Sequence, residues 1–125
     1  MAGIVFLRTR ELQRITRFYT ERMCMQPWLS QDGIEILHHD GFLVGFHQAG
    51  TTDSDALLTF VYRSRQEVDR AYEQLQQIAL APPDENGQYG IYNFFGRDPE
   101  GRKVEVQAFL HELPAVPRLF EEADR

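Results

Sequence analysis

The spacing of apolar positions along the chain changes period in a recurring order. "GIVFLRT" alternates and is rich in β-formers, which predicts a strand. In "RELQRITRFYTERM" the residues Leu12, Ile15, Tyr19 and Met23 recur at helical spacing and make one apolar face. Pro27 closes that region, because a proline inside a helix removes a hydrogen bond and clashes with the preceding turn. "GIEILHH" and "FLVGFHQ" flank Asp40-Gly41, a two-residue hairpin signal between two strands. "QAGTTDSDA" is small and polar and reads as a linker.

The order then starts again. "ALLTFVYR" predicts a strand and "SRQEVDRAYEQLQQI" a helix, with Val68, Tyr72 and Leu75 as its apolar stripe. Ser64 and Glu67 stand at capping-box spacing, so the hydroxyl can accept from a backbone amide that the first turn leaves free. "ALAPPDENGQYG" is a loop in which Pro82 and Pro83 bar continuation of the helix. "IYNFFGR" and "RKVEVQAF" are strands joined by "DPEG", where Pro99 suits position i+1 of a type I turn and Gly101 suits i+3. The tail, "HELPAVPRLFEEADR", is expected to end in a short amphipathic helix carrying Leu119 and Phe120.

Each half therefore reads as strand, helix, then two or three strands. "RFY" around Tyr19 matches "RAY" around Tyr72 at an offset of 53 residues, and "GFLVGFHQ" matches "GRKVEVQA" at an offset of 60. The repeated order of elements points to an internal duplication, with the difference in offset absorbed by loops.

Composition narrows the picture without changing it. At 125 residues the chain fits one compact domain, or two small modules sharing a core. It is 42% hydrophobic and 12% aromatic, enough to fill a core, so disorder is expected only near the ends. The net charge of −6 opposes general binding to nucleic acid, whose phosphates need a basic surface. The same charge suits neutral or cationic partners. A single cysteine, Cys24, rules out an internal disulfide framework and fits a reducing cytoplasm. "MAGIVFL" lacks the features of a leader and is read as the first strand. No apolar run approaches the roughly 20 residues that span a bilayer.

Two segments carry a resemblance. "FLRTRELQRITRFYTERM" is similar to the opening of vicinal oxygen chelate proteins, the glyoxalase, bleomycin-resistance and extradiol dioxygenase group. "FFGRDPEGRKVEV" resembles the closing signature of that group, an Asp-Pro-acid-Gly turn before a strand with a central Glu. The likeness covers roughly residues 3 to 110. It implies an α+β fold of two tandem βαβββ modules, about 3–48 and 56–110, whose curved sheets form a cleft, followed by the tail 111–125. It also implies that a second copy of the chain completes the cleft. Such a homodimer is expected to bury Trp28, Phe42 and Phe46.

The resemblance further implies a metal site with one ligand from the first and last strand of each module, by custom His, Glu, His and Glu. Those positions fall here on Ile4, Gly45, Leu57 and Glu105, of which Glu105 alone offers a ligating side chain. One carboxylate does not hold a divalent ion against water, so no metal cofactor is expected. A two-residue slip of the first hairpin would bring His47 toward Glu105 as a sparse alternative metal site. The Asp40-Gly41 turn opposes it by pairing His38 with Leu43 and Ile34 with His47. His38 and His39 are adjacent in a strand, point to opposite faces and do not chelate together. His39 reads as solvent-facing beside the turn, and His111 as a surface residue after the last strand.

Alternation nominates the residues that would line a cleft. Ile4, Phe6 and Arg8 share one face of their strand, as do Leu57, Thr59 and Val61, Leu43, Gly45 and His47, and Lys103, Glu105 and Gln107. Trp28, placed between the helix and the hairpin, and Tyr89, Tyr92 and Phe94 are further candidates. From these the expected ligand-binding set is Phe6, Arg8, Trp28, His47, Thr59, Tyr92, Lys103, Glu105 and Gln107, with Glu105 also the candidate general base. Cys24 has no nearby histidine or acid in a catalytic arrangement and is expected to pack beside Met23 and Met25. Tyr19 and Tyr72 match each other on the two helices and read as structural. The leading functional reading is capture of a small molecule without chemistry. The second is a metal-dependent lyase, isomerase or dioxygenase.

Overall fold

A computed structural model describes residues 2–115 of the chain, so the tail segment with Leu119 and Phe120 lies outside the described residues. The chain divides after Asp53 into two units. The first runs β1 (Ile4–Thr9), α1 (Leu12–Glu21), β2 (Gln26–Gln31), β3 (Ile34–His39) and β4 (Phe42–Gln48). Its sheet has the order β1-β4-β3-β2, with β1 parallel to β4 and the other pairs antiparallel. The Asp40-Gly41 link sets the register expected of a two-residue turn, Ile34 opposite His47 and His38 opposite Leu43. Asp40 takes the left-handed conformation (φ 51°), which the short polar Asp side chain tolerates.

The apolar face of α1 explains one side of this sheet. Ile15 and Tyr19 are buried against Leu37, Val44 and Phe46, and the Tyr19 and Phe46 rings stack 5.1 Å apart. Phe46 is thus core within its own unit and has no surface left to give to a partner, contrary to the expectation from sequence. Two further features, β2 and the placement of Cys24, differ from the sequence reading. α1 ends before Pro27, as expected, but Pro27 itself lies in β2, a strand the local pattern does not signal, at a sheet edge where a proline's missing N–H is tolerated. The ladder to β3 shifts between Pro27 and Leu29, so Trp28, between α1 and the β3–β4 hairpin as read, sits in that irregularity and is 56% exposed. Cys24 is exposed and does not pack. The chain leaves α1 through a left-handed Cys24 (φ 59°), which sends Met23 and Met25 inward and leaves the thiol outside.

The second unit repeats the plan. It runs β5 (Leu57–Tyr62), α2 (Arg65–Leu75), β6 (Asp84–Asn86), β7 (Ile91–Arg97) and β8 (Lys103–Phe109), in the sheet order β5-β8-β7-β6. The Ser64 hydroxyl accepts from the Glu67 amide at 3.2 Å, the cap expected from the spacing. α2 covers Leu58, Phe60, Phe94, Val104 and Val106, with Val68 and Leu75 buried on its inner side. The parallel rungs show the duplication in register. Phe6 stands opposite Gly45 in the first unit as Thr59 stands opposite Glu105 in the second, at the offsets of 53 and 60 read from the sequence. β6 completes the expected βαβββ order in a segment whose local pattern reads as a loop. This three-residue edge strand lies inside the predicted loop and is tied to α2 by an ion pair between Glu85 and Arg65.

The "DPEG" turn forms as expected and carries more than a turn. The Gly101 amide donates to the Asp98 carbonyl at 3.0 Å and the Asp98 amide to the Arg102 carbonyl at 2.9 Å, with Gly101 left-handed (φ 89°). The Asp98 carboxylate accepts from the Glu100 and Arg102 amides at 2.8 and 3.1 Å, and from the Arg102 guanidinium at 3.0 Å. Arg102 also donates to Glu100 at 3.2 Å and is 0% exposed. One edge of β7 is crossed by the segment after α2, where Leu80 donates to the Phe95 carbonyl and Arg97 to the Ile78 carbonyl. That crossing fixes Gly96, since a Cβ there would lie 2.9 Å from the Ile78 carbonyl oxygen. No helix among the described residues is long and apolar enough to cross a membrane.

Candidate functional site

β8 alternates as read. Val104, Val106 and Ala108 are buried on the α2 side, so Lys103, Glu105 and Gln107 occupy the opposite face of the sheet. Across the ladders Glu105 stands between Thr59 on β5 and Phe95 on β7, and Gln107 between Val61 and Asn93. Glu105 is 7% exposed. One carboxylate oxygen accepts from the Thr59 hydroxyl at 2.9 Å and the other from the Asn93 amide at 2.8 Å. Both donors are neutral. The nearest cation along the strand, Lys103, places its amine over the Phe95 ring, 5.0 Å from the centroid. Gln107 is 9% exposed.

Tyr92 does not join this group. β7 alternates in step with β8, which sends Asn93 and Phe95 to the Glu105 face and Tyr92 and Phe94 toward α2. The Tyr92 hydroxyl donates to Asp69 on α2 at 2.7 Å, and the Arg65 guanidinium lies 4.8 Å from its ring centroid. The hydrogen bond to Asp69 pushes the Tyr92 pKa up, and desolvation adds to the shift. Phe94 packs edge-on against Tyr72, and Tyr89 is exposed in the β6–β7 loop. Asn93 is the residue that sequence reasoning missed. Its signal was the alternation of "IYNFFGR" carried across to Glu105.

The sheet face of the first unit away from α1 holds Ile4, Phe6 and Arg8 beside Leu43, Gly45 and His47. The register is not slipped, so His47 remains opposite Ile34 and exposed. The Phe6 ring covers Gly45 closely enough that a Cβ there would meet its Cε1 at 2.4 Å. Arg8 is committed elsewhere. Its Nη2 and Nε donate to Asp53 at 2.8 and 3.1 Å, while its amide donates to the same carboxylate at 2.7 Å. Hydrogen bonding to Asp53, then its charge, raises the guanidinium pKa further. Sequence reading had placed Asp53 in a linker.

The donor set at the four implied ligand positions does not fit a divalent ion. Ile4 and Leu57 are aliphatic, Gly45 has no side chain and lies under a phenyl ring, and Glu105 is already held by two donors. Among the described residues no three His, Cys, Asp or Glu side chains gather as a metal-holding group.

Comparison with known proteins agrees with this architecture. The model of the Glyoxalase/Bleomycin resistance protein/Dioxygenase superfamily matches residues 2–106. A glyoxalase/bleomycin resistance protein/dioxygenase from Nocardioides is similar in structure, with TM-score 0.73 and 19% identity over 93% of this chain and 88% of that one. A genomically encoded fosfomycin resistance protein from Listeria monocytogenes is similar at TM-score 0.73 and 15% identity, over 86% and 92%. Lactoylglutathione lyase from Agrobacterium tumefaciens is similar at TM-score 0.72 and 17% identity, over 86% and 92%. At such identities the likeness speaks to fold alone. No curated protein sequence matches the chain.

Proposed function

Since the chain belongs to the Glyoxalase/Bleomycin resistance protein/Dioxygenase superfamily, we propose that it captures a small organic molecule at the Glu105 face without a bound metal. The observation that carries this reading is the state of Glu105. It is the one ligating side chain at the implied metal positions, and its oxygens are engaged by Thr59 and Asn93. Around it stand Phe95, Val61, Thr59 and Gln107, a mixture of apolar side chains and a few polar groups, as small-molecule sites have. Neither cofactor nor nucleic acid enters this reading, and the net charge of −6 opposes the latter. The single cysteine fits a cytoplasmic protein.

A metal-dependent lyase, isomerase or dioxygenase is the second reading. Glu105 itself favours it, as a carboxylate standing where the resemblance implies a ligand, or as a general base. The missing companions weigh against it.

A homodimer belongs to the same proposal. Phe6 is 52% exposed, and Trp28 and Leu29 of the same unit are exposed as well, apolar side chains that a second copy would cover. Native mass spectrometry in EDTA, before and after incubation with a cell metabolite extract, tests both parts. The expected result is a species of twice 14.6 kDa that gains the mass of an organic molecule. A monomer that gains nothing, or a gain seen only without the chelator, would contradict the proposal.

A further inference from the structure

We propose that the Glu105 face of the second unit is a site for an organic cation, a protonated amine or amidinium group. This inference deepens the reading of small-molecule capture and rests on it. Two independent observations point to a missing donor. The first is the charge balance at Glu105. Its residue is 7% exposed, yet both of its hydrogen-bond donors, Thr59 and Asn93, are neutral. A buried carboxylate is costly unless a charge or a full set of donors compensates it. A carboxylate offers about four acceptor positions, of which this one uses two. An N–H cation would occupy the others and supply the absent charge.

The second observation is Gln107, next on the same face. It is 9% exposed, and its carboxamide makes no hydrogen bond among the described residues, although Asn93 stands directly opposite. Among the described residues every side-chain nitrogen and oxygen fully shut off from solvent has a partner, so the unpartnered Gln107 amide atoms keep an opening to solvent. A polar group nine-tenths buried, unpartnered and aimed at an opening is placed to meet a ligand. Same-face neighbours on a strand lie about 7 Å apart at Cα, so one planar, forked group reaches both side chains. Amidinium and guanidinium have that shape, and their two parallel N–H groups match a carboxylate.

The surroundings select the sign of charge. Lys103 would attract an anion, but its amine is taken up over the ring of Phe95, the residue paired with Glu105, and forms no ion pair with the Glu105 carboxylate. Val61, opposite Gln107, offers an apolar surface for the body of the ligand. The chain's net charge of −6 draws cations toward it and repels anions.

The test uses benzamidine, with its neutral analogue benzamide and the anion benzoate, titrated into the full chain. Side-chain amide signals of Asn93 and Gln107 are followed by ¹H–¹⁵N correlation spectroscopy. Benzamidine is expected to shift both signals in a saturable way, with benzamide and benzoate at least about tenfold weaker, as the loss of a charge-assisted hydrogen bond implies. Glu105→Gln, with its fold checked by the backbone spectrum, is expected to weaken benzamidine about tenfold. Gln107→Leu should weaken it less while leaving the preference for the cation. Equal shifts from benzamide or benzoate, undiminished binding to Glu105→Gln, or no shift with benzamidine would overturn the inference. A neutral or anionic molecule captured at this same face would overturn it while leaving the capture reading intact. Stoichiometric metal at Glu105 would overturn the capture reading itself.

Discussion

Arg102→Met is expected to lower the free energy of unfolding by about 3–5 kcal/mol, the cost of leaving a buried charge without its partner. The substitution keeps much of the side-chain volume and removes the charge. It strands Asp98, whose carboxylate would retain two backbone donors but lose the guanidinium at 3.0 Å, and it strands Glu100 as well. The group sits in the hairpin that holds β8 against β7, so the loss falls on the strand that carries Glu105. Since small domains are stable by only about 5–15 kcal/mol, the variant should sit near the edge of folding. Urea denaturation reads this as a midpoint lowered by about 2 M, at a slope of about 2 kcal/mol per molar. Arg14→Met supplies the control, because Arg14 and Glu11 form an exposed pair that should be worth less than about 1 kcal/mol. Equal effects at the two sites would show that the buried group does not hold the turn.

Gly96→Ala should be the next most damaging change, at about 1–3 kcal/mol for an overpacked site. The new methyl would lie 2.8 Å from Ile78 Cδ1 and 2.9 Å from the Ile78 carbonyl oxygen. The side chain can turn aside, but the carbonyl is fixed by the hydrogen bond it accepts from Arg97. Relief therefore requires moving the strand crossing itself. Gly45→Ala meets a nominally closer atom, Phe6 Cε1 at 2.4 Å, yet that ring is half exposed and free to rotate. Thermal melts of the two variants should rank Gly96→Ala as the less stable. The opposite ranking would mean that the Phe6 ring is held over Gly45 more firmly than its exposure implies.

These two positions also show what the sequence reveals and what it hides. The module order, the hairpin register at Asp40-Gly41, the turn at Asp98–Gly101 and the face shared by Lys103, Glu105 and Gln107 all follow from local pattern. Turn chemistry and strand alternation act between neighbours and need no tertiary knowledge. β2 and β6 were hidden because they are edge strands. β2 accommodates Pro27, and β6 is three polar residues behind two prolines, so neither shows the apolar alternation of a central strand. Arg102 was hidden because a charged residue in a turn ordinarily faces water, and only the fold brings Asp98 and Glu100 around it. Asp53 pairs with Arg8 across 45 residues of chain, a distance that no local pattern reports. Tyr92 and Asn93 were confused because an aromatic attracts notice in a candidate site, whereas alternation assigned the opposite faces. At Glu105 the position was legible, but its neutral donors were not.

The claim at the centre of this account is that Glu105 serves an organic ligand and not a metal. It is tested most directly by stripping the protein with a chelator, removing the chelator, and titrating in zinc, nickel or manganese while the melting temperature is followed. An ion that binds the folded chain tightly adds about 2.7 kcal/mol of stability at a hundred times its dissociation constant, which is plain in a melt. The account predicts a melting temperature that stays unchanged for all three ions, in the native chain and in Glu105→Gln alike. A rise saturating at one ion per chain and abolished by Glu105→Gln would contradict it.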